Sequence, residues 1–220
     1  MELREYVSVR RAYNLVRQNV EATERLAFPE LAILCHLHVS DGVLSTANIA
    51  SYQKALRPTM THRTKHLASL GLMVRQKGDV DRRNVMCKIT EQGRRYVEKA
   101  CEEIRGILHL GNVLSRTSKQ RVIRYVDTMG TVSCSTSDLV VLYIYLMGDG
   151  HCTVGEMATG LGSLQPTTSM AVSKLERADL IVRTATNNAH SATFDLTESG
   201  RALAKSFEKA IGSLVVKRNI

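Results

Sequence analysis

The sequence predicts a mainly α-helical protein with small β-hairpins, built from two copies of one unit. Three observations carry this. Apolar residues recur at helical spacing along most of the 220 residues, and the scarcity of aromatics leaves the core to aliphatic side chains. "LRPTMTHRTKHLASLGLMVRQ" (56–76) aligns with "LQPTTSMAVSKLERADLIVRT" (164–184) at a constant offset of 108. "VRQKGDVDRRNVMCKITEQGRR" (74–95) brackets Gly78-Asp79 with two short runs, a hairpin signal.

The repeat extends both ways. Leu31, Leu34, Asp41, Gly42 and Ala50 map onto Leu139, Leu142, Asp149, Gly150 and Ala158. Past the hairpin the offset becomes 107, so that "LTESG" (196–200) falls on "ITEQG" (89–93). Two copies of about 70 residues result, too few for a solenoid.

Each element follows in order. Tyr6, Val9, Tyr13, Val16 and Val20 step by three and four, a seam suited to a partner helix. The first copy opens on an apolar helix, "PELAILCHLHV", matched by "SDLVVLYIYLM" in the second, each ending at an Asp-Gly turn. A short helix follows, with Thr46 or Thr153 placed as the N-cap acceptor. Pro58 and Pro166 then stand where a third helix begins, because proline is tolerated in a first turn. That helix, 58–70 in the first copy, stops at Gly71, and its equivalent stops at Asp179. Strands on either side of Gly78-Asp79 close the unit. Outside the copies the pattern is helical: Val97, Cys101, Ile104 and Leu108; Val122, Ile123, Val126 and Met129; Leu203, Phe207, Ile211 and Leu214. These seams predict a helical, dimerisation-type layer, serving either two chains or the two halves of one. Helix, short helix, third helix and hairpin make a winged helix-turn-helix. The expected domains are 1–112, with the N-terminal helix, and 113–220.

Composition bounds the function. Thirty Lys+Arg against 21 Asp+Glu leave +9, which suits an acidic partner such as nucleic acid. No apolar run is long enough to span a membrane, and "MELREYVSVRR" does not read as a signal peptide, so a cytoplasmic protein is expected. Cys35, Cys87, Cys101, Cys134 and Cys152 form no CxxC pair and read as reduced core thiols. Phosphate-binding, dinucleotide, nucleophile-elbow and zinc-protease motifs do not occur, so neither an enzyme nor a cofactor is expected.

The two copies differ in charge. Residues 54–95 hold eleven Lys and Arg against three carboxylates, a balance of +8; the equivalent 162–202 holds four against four. Phosphate affinity follows such charge, so the first copy is the expected DNA binder. In its third helix Met60, Leu67 and Leu70 are expected to face the core. Thr59, Thr61, His62, Arg63, Lys65 and His66 would then face a major groove, with Thr46 and Arg57 beside them. In the hairpin, Asp81 is expected to orient Arg82 or Arg83 toward a minor groove next to Asn84, with Lys77 and Lys88 on phosphates. His62 and His66 have a spacing able to hold a metal, but no Cys or carboxylate completes the set. His36-x-His38, on an apolar helix, reads as a satisfied pair.

"LGLMVRQKGDVDRRNVMCKITEQGRRYV" resembles the MarR family of bacterial transcription regulators. Its Leu-x-x-x-Gly-Leu-Val-x-Arg, Asp-Arg-Arg and Leu-Thr-x-x-Gly elements stand here in that family's order and spacing. The resemblance covers Pro29 to about Glu103 well and 138–208 more weakly. Gln53-Lys54 depart from the family's usual Leu-Gly pair. The resemblance implies a double-stranded DNA-binding regulator, repressing by occlusion, with tandem units forming an internal pseudo-dimer or a homodimer. It also implies room for a small-molecule effector between the winged units and the helical layer. The competing expectation is a protein-interaction module whose DNA binding is incidental.

Overall fold

The computed structural model describes residues 1–77, 85–110, 114, 116–148, 152–184 and 192–217. The elements, in chain order, are α1 (Leu3–Gln18), α2 (Phe28–Ser40), β1 (Leu44–Ser45), α3 (Thr46–Gln53), α4 (Arg57–Ser69), β2 (Met73–Lys77), β3 (Val85–Ile89), α5 (Glu91–Leu110) and α6 (Lys119–Met129). They continue with α7 (Thr136–Met147), β4 (Cys152–Thr153), α8 (Val154–Leu161), α9 (Gln165–Arg177), β5 (Ile181–Thr184), β6 (Thr193–Leu196) and α10 (Glu198–Gly212). The fold is mainly α with two small antiparallel sheets, ordered β1-β3-β2 and β4-β6-β5. Among the described residues no helix is long and apolar enough to cross a membrane.

The same local rules build both copies. Pro58 and Pro166 sit in the first turns of α4 and α9. Gly71 and Asp179 leave those helices in the left-handed region, φ +71 and +53. The "ITEQG" and "LTESG" segments then start α5 and α10. Thr90 Oγ1 accepts from Gly93 N at 2.9 Å and donates to Gly71 O at 2.7 Å; Thr197 does the same with Gly200 N and Asp179 O, at 3.1 and 2.8 Å. One hydroxyl therefore caps the new helix and satisfies the carbonyl of the turn before it. Glycine is required because a Cβ on Gly93 or Gly200 would lie 2.1 or 2.0 Å from the carbonyl oxygen of Leu72 or Leu180.

The short helix is capped at equivalent positions, 108 residues apart. Thr153 caps α8 as the sequence predicts, in a capping box with Glu156. In the first copy the cap is Ser45, whose hydroxyl accepts from Asn48 N at 3.1 Å, and Thr46 is instead the first helical residue. The third helix runs Arg57–Ser69, and Leu70 is its half-buried C-cap rather than a core residue.

Packing divides the chain differently from the 1–112 and 113–220 boundary. One compact body is Met1–Leu15 with Cys134–Leu214; the other is Val16–Ser133 with the residues from Val215. Within the first body, Arg10 donates to Cys134 O at 3.2 Å, and Asn14 donates to Leu161 O at 2.9 Å. Tyr6, Val9 and Tyr13 are buried. Within the second body, α6 packs on α2 and α5. His36 Nδ1 meets Asp127 Oδ1 at 2.9 Å and stacks on Tyr52 at 3.9 Å. The helix preceding each copy thus completes the other copy's body, an exchange that repeat alignment does not reveal. Val97, Cys101, Ile104, Leu108, Val122, Ile123, Val126 and Met129 are all buried, as their spacing predicts. The last seam is less covered: on α10 Ala204 and Ile211 are buried, whereas Leu203, Phe207 and Leu214 are half-buried.

Candidate nucleic-acid interface

The α4 helix sorts its side chains by angle. Met60, Thr64 and Leu67, at i, i+4 and i+7, are buried, and Thr64 donates its hydroxyl to Met60 O at 2.8 Å. The opposite stripe, His62, Lys65 and Ser69, is exposed, as are Arg57, Pro58 and Thr59 in the first turn. Thr61 is half-buried on one flank. Thr46, at the start of α3, is half-buried as well, and Lys54, just past the end of α3, is exposed.

Arg63 and His66 occupy the other flank and have partners that the sequence does not announce. Arg63 Nη1 donates to Gln53 Oε1 at 2.6 Å, and Gln53 Nε2 donates to Pro29 O at 2.7 Å. Gln53 is only 2% exposed, so its amide has both ends satisfied out of water. Burial pushes the Arg63 pKa down, and the nearby Glu30 carboxylate opposes that shift. His66 Nδ1 lies 2.8 Å from Glu30 Oε1, and Glu30 Oε2 accepts from Ala27 N at 2.7 Å, closing the first turn of α2. With His66 held by Glu30 and His62 exposed, the i, i+4 pair does not converge. Among the described residues no group of three His, Cys, Asp or Glu is arranged to hold a metal.

The sheet adds further cations. Lys88 on β3 stands opposite Val74 on β2, and both are exposed; Lys77, at the end of β2, is exposed too. Arg75 pairs in register with Cys87, whose thiol is pushed up by burial against the lowering effect of Arg75. Asp81, Arg82, Arg83 and Asn84 lie outside the described residues. All five cysteines are buried, and Cys35 Sγ lies 4.0 Å from Cys101 Sγ. His36 has its partner, whereas His38 Nδ1 is buried without one and burial pushes that imidazole's pKa down.

The second copy is an internal control. Where α4 exposes His62, α9 exposes Met170, at 75%. Arg63 corresponds to the buried Ala171, and Lys65 to the half-buried Ser173. Lys88 corresponds to Asp195, whose carboxylate accepts from Arg201 at 3.0 and 3.1 Å. Lys54, which terminates α3 at φ +49, corresponds to Gly162 at φ +59. The sequence marks Gln53-Lys54 only as a departure from a Leu-Gly pair, which the second copy keeps as Leu161-Gly162; it assigns Gln53 no partner.

No protein-family model matches this chain, and no curated protein matches it significantly. Solved structures give partial likenesses. MepR, a transcription regulator of the Staphylococcus aureus multidrug efflux pump MepA, is 22% identical with TM-score 0.34, over 42% of this chain and 67% of that one. A MepR mutant from a multidrug-resistant S. aureus clinical isolate is 26% identical with TM-score 0.34, and this chain spans only 56% of its length. Bordetella bronchiseptica BpsR, whose DNA binding is regulated by 6-hydroxynicotinic acid, is 20% identical with TM-score 0.39, over 52% of this chain and 85% of that one. At such TM-scores the likeness is too partial to carry those proteins' properties to this chain.

Proposed function

We propose that this protein is a sequence-specific regulator of transcription that binds double-stranded DNA through its first winged copy and represses by occlusion. The helix α4 enters the major groove, presenting Thr59, Thr61, His62, Arg63, Lys65 and His66. The hairpin tip, Asp81 to Asn84, enters the minor groove with an arginine, while Arg57, Thr46, Lys77 and Lys88 meet the backbone.

One observation supports this reading above the others. The exposed cations of one copy, Lys54, Arg57, Lys65, Lys77 and Lys88, lie on the helix-turn-helix and the adjacent hairpin strands, and the other copy lacks them at nearly every equivalent place. The second copy exposes Lys174, Arg177 and Arg183 on α9 and β5, with Glu176 3.7 Å from Arg183, whereas α4, β2 and β3 of the first copy contain no carboxylate to balance their cations. The regulator is therefore single-headed per chain. Bound as one chain it recognises an asymmetric site; bound as two it spans half-sites about 34 Å apart.

The test is a selection from a randomised duplex pool, then titration at several salt concentrations with the mass of the complex measured. A strong preference for one sequence and a steep loss of affinity with salt are expected. Arg83→Ala is expected to cost about 1–3 kcal/mol of specific binding. Affinity indifferent to sequence and to Arg83 overturns the reading.

A second reading has Met170 and Leu164 in its favour, 75% and 53% exposed on and beside α9. They give the trailing copy exposed apolar side chains of the kind that meet protein, beside Lys174 on the next turn of α9. Salt-independent capture of a protein partner, without sequence-selective DNA binding, would favour it.

A further inference from the structure

The corner where α3 turns into α4 is closed in two different ways. In the second copy the two equivalent positions are Leu161 and Ala171, both apolar and buried. In the first they are Gln53 and Arg63, joined by a hydrogen bond of 2.6 Å, with Gln53 anchored to Pro29 O at 2.7 Å. At these two positions the second copy needs no polar group; the polar bond of its corner lies elsewhere, between Ser163 Oγ and Thr168 Oγ1 at 2.6 Å. Burying an amide is costly unless both its ends are bonded, so the polar version needs a reason other than packing.

We propose that Gln53 is a positioning residue for sequence readout, fixing the Arg63 guanidinium so that its outward edge reads a guanine. This rests on the DNA-binding reading above. A guanidinium is planar with five donors, and holding one nitrogen against a rigid acceptor fixes the plane of the rest. Gln53 is suited to be that acceptor, because its amide is itself tied to the backbone of α2 and buried. Arg63 remains half-exposed, so its side chain is still reachable from the surface. The fork it would present matches the O6 and N7 acceptors of guanine in the major groove. An arginine already held in place gives up less rotamer freedom on binding than a free one. Glu30, whose Oε1 lies 2.8 Å from His66 Nδ1, is also near enough to Arg63 to favour its charged form.

The experiment repeats the duplex selection with the unaltered chain, Gln53→Leu, Arg63→Ala and the double variant, which recreates the pair that the second copy already packs. The unaltered chain is expected to prefer guanine at one position. Arg63→Ala and Gln53→Leu are both expected to flatten that same position, by about tenfold, with the other positions and the salt dependence retained. The double variant is expected to be no worse than Arg63→Ala alone. A loss spread evenly over all positions, or an unchanged guanine preference in Gln53→Leu, overturns the inference and leaves the DNA-binding reading standing. No sequence preference in the unaltered chain overturns both. Should Gln53→Leu fold poorly, nitrogen-15 relaxation of the Arg63 guanidinium in the unaltered, DNA-free chain decides. An order parameter above about 0.6 is expected, and a value below it overturns the inference.

Discussion

Lys54 and Gly162 end the same helix in the two copies with the same left-handed backbone, φ +49 and φ +59. The conformation is free for glycine and costs a lysine roughly 1–2 kcal/mol. The first copy therefore carries a cation where its sibling shows that none is needed to fold. Lys54→Gly is expected to stabilise the protein by about 0.5–1 kcal/mol in urea unfolding, after the entropy of the added glycine is set against the relief. The same variant is expected to bind duplex DNA more weakly, with the slope of log K against log salt reduced by about 0.9, one phosphate contact. Weaker binding with an unchanged slope would remove Lys54 from the interface.

The Thr-x-x-Gly starts of α5 and α10 predict a cost in both copies. A methyl on Gly93 or Gly200 would run into a backbone carbonyl, which cannot rotate away as a side chain can. Gly93→Ala and Gly200→Ala are each expected to destabilise by about 3 kcal/mol. Thr90→Val, which removes the cap and the bond to Gly71 O, is expected to cost about 1–2 kcal/mol. Thermal melting of the three variants checks this; a change below about 0.5 kcal/mol at Gly93 would mean that the approach of α5 to β2 is looser than described.

Glu30 ties two elements with one carboxylate, accepting from Ala27 N and holding His66. Its removal exposes the first turn of α2 and leaves His66 without its partner. Glu30→Ala is expected to lower stability by about 1–3 kcal/mol. His66→Ala is expected to cost less, because Glu30 keeps its bond to Ala27. Urea midpoints of the two variants give the comparison, and a larger loss for His66→Ala would reverse the assigned roles.

Alkaline pH is expected to weaken the fold. Burial pushes the Cys35 thiol well above its usual value of 9.0 and raises Cys87, Cys134 and Cys152 as well. Tyr96 is pushed up to about 12, and Tyr6 and Tyr52 are raised further, mainly by burial. A group whose folded pKa is raised stabilises the native state below the unfolded pKa, and that contribution fades as pH climbs toward the folded pKa. Stability should be flat to about pH 8 and fall from roughly pH 9 upward. Native thiols should also label slowly at pH 8 and quickly in denaturant. Rapid labelling of all five thiols in the folded chain would contradict their burial.

The elements that sequence makes legible are those set by near neighbours. Pro58 and Pro166, the left-handed stops at Gly71 and Asp179, and the Thr-x-x-Gly helix starts are each fixed within a few residues, so one chain repeats them at a fixed offset. The charge contrast between the copies is equally plain, because it is a property of the string. The outward stripe of α4 follows from helical spacing, and the structure exposes His62 and Lys65 accordingly. The cap of α3 is Ser45 rather than the adjacent Thr46, and the repeat itself points there, since Thr153 falls on Ser45 at the offset of 108.

Tertiary structure alone decided which helix completes which body. The seams on α1 and α6 show that each must bury a face, but apolar periodicity carries no address, and each helix buries that face in the body of the copy it does not precede. It alone also turned Arg63 and His66 inward at one edge, because their partners Gln53 and Glu30 are 10 and 36 residues away and a buried hydrogen bond leaves no periodic trace. Sequence determined that one pattern occurs twice along this chain and that one of the two copies is cationic. Long-range packing decided how the side chains of that copy are held.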